Sequence, residues 1–174
     1  MDVGVTLEGM RAELAKIPLA GYSLEAKRVT KGGLAAQRAI VSVREPQSPR
    51  TLADVKAVIA KSSLPSADRE RGSAVFKRLA KAEAAVHGET VETVHMHDVG
   101  AVDAMVDVMG TIAGLRLLGV EELYCSPLPS GAGWAQGSHG ALPPVAPAST
   151  SNPVRGNQRG ALPSSSSSGC SLRE

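Results

Sequence analysis

The residues best suited to chemistry lie in one run, VHMHDVGAVDAMVDVMG, from Val94 to Gly110. Two of the four histidines, His95 and His97, stand one residue apart; Asp98 follows at once, and Asp103 and Asp107 come next at helical spacing. If 94–97 is an extended strand, alternation puts both imidazoles on one face, with Cα atoms roughly 6.6 to 7 Å apart, and Val94 and Met96 on the other. Two imidazoles so placed can converge on one ion. With a carboxylate directly after them and more carboxylates one and two turns into a helix, the set suits a first-row divalent metal. Imidazole favours Ni, Zn, Cu and Fe, and the carboxylates widen the choice toward Mn and Mg. A plainer reading uses the same residues structurally, with Asp98 capping a helix, Asp103 answering the dipole in its first turn, and both histidines exposed on a strand.

The elements that must position these groups follow from the flanking pattern. From Ala101 to Leu118 the chain reads as a helix apolar almost all round, the signature of a buried element. Asp103, Asp107 and Thr111 form its one polar stripe, at i, i+4 and i+8. Buried carboxylates need a cation, a donor or water to meet them. On the metal reading His95, His97, Asp98 and Asp103 hold the ion, and Asp107 steadies a ligand from behind. A strand at 122–127 then completes a βαβ unit, for which a right-handed parallel crossover is favoured. That crossover would start the Gly- and Pro-rich loop 126–148 beside His97, where ligands tend to bind in parallel sheets. Ser130, Gly131 and Gly133 could offer backbone N–H groups to a phosphate, and His139 is the loop's only imidazole. An ordinary turn accounts for the glycines equally simply.

The rest of the chain reads as scaffold. Thr6 caps a short helix through about Ile17, and Tyr22–Thr30 and Leu34–Val43 alternate as strands about a Lys31-Gly32-Gly33 hairpin signal. Lys27, Arg28 and Lys31 could meet a phosphate, or simply keep an edge strand soluble. After the polar linker REPQSPR, Thr51 and Asp54 make a capping box for a helix with Leu52, Val55, Val58 and Ile59 on its inner side. A longer helix spans 66–87, with Val75, Leu79, Ala82 and Val86 as its stripe, Phe76 widening it and Gly88 ending it. His87, four residues after Glu83 in its last turn, reads as a dipole and side-chain pair before it reads as a ligand. From Ser149 onward periodicity is lost. The expected organisation is therefore an α+β domain over 1–148, with a mixed sheet holding a hairpin and one βαβ unit packed with helices, and a disordered Ser-rich tail over 149–174.

Composition narrows the partners. With 43% hydrophobic residues the chain can build a core, and with 2% aromatic residues that core should be Val, Leu, Ala and Ile. A balance of 19 basic against 17 acidic residues gives no argument for nucleic acid. No leader pattern and no long apolar run is present, so a cytoplasmic chain without a membrane partner is expected. Cys125 and Cys170 supply no disulfide framework.

The motif HMHDVGAVDAMVDVMG, followed by LGVEELYCSPLPSGAGW and GSHGALPPVAPA, resembles the nickel insertion proteins of nickel-pincer cofactor synthesis, the LarC family. The resemblance extends back through GYSLEAKRVTKGG, covers roughly residues 6 to 148 and corresponds to the family's N-terminal part. It implies Ni(II) binding and delivery of nickel to pyridinium-3,5-bisthiocarboxylic acid mononucleotide, a lyase-class chelatase reaction that uses CTP. By matching position it puts His95, His97, Asp98, Asp103, Asp107 and His139 at the site. Asp98 stands where the family usually has Glu, Gly137 where many members have Cys, and REPQSPR where a His-rich segment is common. The family's second domain, to which CTP use is linked, is expected to lie outside this chain. The rival expectation is a non-catalytic interaction or metal-storage domain, completed by a separate second-half domain or by a homo-oligomer. A metal-dependent hydrolase would need an open coordination position with a base beside it, and no residue singles out a substrate for one.

Overall fold

Thr6 opens the first helix because its hydroxyl accepts a hydrogen bond from the Gly9 N–H at 3.0 Å, satisfying one of the four donors a helix start leaves free. In the computed structural model, residues 3–44, 49–96 and 101–124 are described in full, and 135–137, 140–142 and 171–173 by their backbone. Helix α1 spans Leu7–Leu14. Strands β1, Tyr22–Lys31, and β2, Leu34–Val43, pair antiparallel from Tyr22 opposite Val43 to Lys31 opposite Leu34. Gly32 and Gly33 both have positive φ, 59° and 80°, which a two-residue turn matched to strand twist demands. The hairpin is as expected.

Helix α2, Leu52–Ala60, starts on the reciprocal capping box, with the Thr51 hydroxyl accepting from Asp54 N and the Asp54 carboxylate accepting from Thr51 N. Helix α3, Ser66–His87, ends on Gly88 in the left-handed region, φ 68°. Phe76 and Ala82 are buried as expected, but the rest of its buried line is rotated from the expected one. It runs through Asp68, Gly72, Phe76, Ala80 and Ala84, while Val86 is 43% exposed. Phe76, the only Phe, takes the centre of the core, and Gly72 leaves room for Met109 of α4.

Helix α4, Val102–Leu117, packs against α1 and α3 and buries Val102, Met105, Val106, Met109 and Ala113. The core contains three fully buried methionines, Met96, Met105 and Met109, beside the Val, Leu, Ala and Ile expected from composition. An unbranched thioether fills the irregular gaps that a chain short of aromatic residues leaves. The polar stripe of α4 faces outward. Asp103, Asp107 and Thr111 are exposed, so the carboxylates are not buried as the helix pattern suggests.

The expected βαβ unit is not formed among the described residues. Val94 and Met96 are buried and His95 is exposed, as alternation predicts, but the segment emerges directly from the turn at 90–93 and makes a single antiparallel bridge, Met96 with Arg50. Strand β3, Glu122–Tyr124, pairs in parallel with β6, Ser171–Arg173, instead of with 94–97. Those three residues lie in the Ser-rich tail. Within the stretch read as an irregular loop, β4, Ala135–Gly137, pairs antiparallel with β5, Gly140–Leu142. The α+β class holds, with four helices and three two-stranded sheets among the described residues. No described helix is long and apolar enough to cross a membrane.

Candidate metal centre

His95 owes its position to its neighbours. Val94 and Met96, 1% and 0% exposed, anchor the chain on either side, and Met96 N donates to Arg50 O at 2.9 Å, which leaves the imidazole pointing into solvent. The Asp54 carboxyl at the start of α2 is held below its ordinary value by hydrogen bonds from the Thr51 side chain and backbone, and more weakly by the nearby Arg50 and His95. An imidazole on a buried two-residue anchor is held in place yet accessible to a metal.

On α4, Asp103 and Asp107 stand one turn apart. Asp103 Oδ1 accepts from Ala104 N at 2.9 Å. Partial burial, then the neighbouring Asp103 charge, hold the Asp107 carboxyl above its ordinary value. A cation bound beside Asp107 would offset that repulsion. Among the described residues no three His, Cys, Asp or Glu side chains gather as a metal site. The other proposed donors, His97 and Asp98, and the loop candidates Ser130, Gly131, Gly133 and His139, lie outside the described residues. His87 pairs with Glu83 at 3.3 Å, the helix-end arrangement expected from sequence.

One charged group escaped the sequence reading. Arg116, near the end of α4, donates from Nε to Asp68 Oδ2 at 2.7 Å and from a terminal nitrogen to Glu13 Oε2 at 2.6 Å, and Glu13 also takes Lys16 at 2.7 Å. This ties α1, α3 and α4 together behind the carboxylate stripe. Asp68 is fully buried and its Oδ1 has no hydrogen-bond partner. The signal was Arg116 itself, the one cation of the helix, set off its Asp103–Asp107–Thr111 polar stripe, where a carboxylate on a packed neighbour can meet it.

The described residues thus put an outward imidazole, His95, and a helix bearing two exposed carboxylates, Asp103 and Asp107, on one small α+β fold. The family model described as nickel insertion protein matches residues 1–157, and the chain belongs to that family. It is 49% identical over 148 residues to a relative in Roseiflexus castenholzii, covering 85% of this chain and 38% of the relative. Similar relatives occur in Thermomicrobium roseum, 46% identical over 149 residues, covering 85% of this chain and 37% of the relative, and in Geobacter metallireducens, 42% over 158 residues, covering 90% and 40%. All three are named for nickel insertion. The chain thus spans about two fifths of the length of the curated relatives it matches. No solved structure matches it.

Proposed function

We propose that this chain binds Ni(II) as cargo through His95, His97, Asp98 and Asp103, with Asp107 steadying the site, and that it serves nickel insertion in the cytoplasm. The observation that carries this reading is the family match over residues 1–157, which contains the whole His-Asp motif. The exposed, anchored His95 and the exposed carboxylates of α4 support it, because a delivery site must release its metal to an acceptor and so needs access from solvent. Imidazole and carboxylate donors without thiolate suit labile Ni(II). The acceptor we propose is pyridinium-3,5-bisthiocarboxylic acid mononucleotide, whose sulfurs would draw the metal from its oxygen and nitrogen donors. Its phosphate would meet the N–H groups around Ser130, Gly131 and Gly133, with His139 beside them. CTP use is proposed for the longer family members.

Calorimetric titration of the chain with Ni(II), repeated on a His95→Ala, His97→Ala double variant, tests the reading. Saturable binding by the parent and its loss in the variant are expected, and equal heats would sink it. The second reading, a domain that only contacts a partner, draws on the lack of a three-donor group among the described residues. It predicts that the second-half domain of a family member raises the melting temperature of this chain while Ni(II) alone leaves it unchanged.

A further inference from the structure

The distal half of the β1–β2 hairpin is an arm with little of its own body against it. From Lys27 to Arg38 every residue is exposed except the half-buried Val29 and Ala36. This stretch carries four cations, Lys27, Arg28, Lys31 and Arg38, and no acidic residue. Lys27 lies directly opposite Arg38 in the ladder, a like-charge pair that costs stability unless an anionic surface meets it. At the tip Leu34 is 75% exposed, on the two-glycine turn.

The body carries a complementary feature. A groove of about 300 Å³ opens between α1, α4 and the base of the hairpin, walled by Val5, Met10, Leu14, Leu24, Val106 and Leu118. Asp107 is the one charged residue lining it, with exposed Asp103 a turn before. With the four arm cations set aside, 15 basic residues stand against 17 acidic ones, so arm and remainder carry opposite net charge. The arm cannot fill the groove of its own chain. Leu24, Ala39 and Val41 of the same ribbon form part of the wall, and Lys31 lies seven residues beyond Leu24, roughly 23 Å along a stiff ladder.

We propose that the groove receives the hairpin tip of a second copy of this chain, with Leu34 entering the apolar wall and the arm cations lying against Asp107 and Asp103. Two copies exchanging arms about a twofold axis satisfy both arms and both grooves at once. The occupant is a second copy because this chain itself holds both halves of the match, a cation-bearing arm with Leu34 at its tip and an apolar slot with Asp107 in its wall. The inference needs no histidine, but it sets the arm cations on Asp107 and Asp103, so bound Ni(II) and the exchanged arms would compete for those carboxylates and the test is run on metal-free chain.

Sedimentation velocity on the purified chain across a wide concentration range tests it. The parent should show a monomer–dimer equilibrium that weakens with salt. Leu34→Asp should raise the dissociation constant by about tenfold or more. A Lys27→Glu, Arg38→Glu double variant should do the same, and adding Asp107→Lys to that double variant should restore dimerisation, a rescue that no merely structural role of these exposed residues would produce. Circular dichroism checks that each variant is folded. A parent that stays monomeric at all concentrations, a dimer indifferent to Leu34→Asp, or a monomer whose arm instead retains duplex DNA or anionic vesicles would overturn the proposal.

Discussion

Arg116 joins three helices through two carboxylates. Its guanidinium meets Asp68, which is fully buried, and Glu13, so truncating it leaves a carboxylate in the core with no counter-charge. Arg116→Ala should cost about 3 kcal/mol in denaturant unfolding, at the low end for breaking a buried pair because the arginine itself is partly exposed. The same experiment has a pH signature. Burial alone would raise the Glu13 pKa, but hydrogen bonds from Lys16 and Arg116, with their charges, hold it below the ordinary 4.5. A carboxyl depressed in the folded state stabilises the fold fully above its unfolded pKa and loses that contribution as the pH falls through its folded pKa. Stability of the parent should therefore fall below about pH 4.5 as Glu13 takes up its proton, and Arg116→Ala should flatten that acid limb. An acid limb of unchanged slope in the variant would show that Arg116 does not hold the Glu13 carboxylate.

At the scale of elements, the tightest joint is the crossing of α3 and α4. A Cβ placed on Gly72 would run into Met109 Sδ and lie 3.0 Å from its Cε, and Met109 is completely buried. Gly72→Ala should therefore destabilise by about 1–3 kcal/mol, as overpacking does, despite the better helix propensity of alanine. Unfolding midpoints would check this, and a stabilised variant would mean that Met109 can swing clear. The same crossing shows what sequence could and could not reveal. Helix starts and stops were legible because they are local chemistry, as with Thr6, the Thr51–Asp54 box and Gly88. The buried face of α3 was not, because Val75, Leu79 and Val86 outrank Gly72, Ala80 and Ala84 in hydrophobicity, whereas close approach of α4 selects the small residues. The βαβ unit failed for a related reason. Alternation correctly set Val94 and Met96 inward and His95 outward, but alternation does not name the partner strand, and among the described residues 94–96 bridges only to Arg50.

For the whole molecule, the α+β class, the hairpin and all four helices followed from periodicity and punctuation, and the family membership followed from one long motif that unites imidazoles and carboxylates. The environment of that motif was less legible. An almost wholly apolar α4 suggested buried carboxylates, yet Asp103 and Asp107 are exposed, because the helix packs its other faces on α1 and α3 and leaves this stripe to solvent. On the nickel reading, the exposed carboxylate stripe and the anchored, outward histidine would suit a site that passes metal on better than one that locks it away. X-ray absorption at the nickel edge, on the chain loaded with one equivalent of Ni(II), tests this most directly. The predicted spectrum has oxygen and nitrogen donors only, with the outer-shell scattering of two imidazoles that disappears in the His95→Ala, His97→Ala variant. Sulfur donors from Cys125 or Cys170, or a spectrum unchanged in that variant, would contradict it.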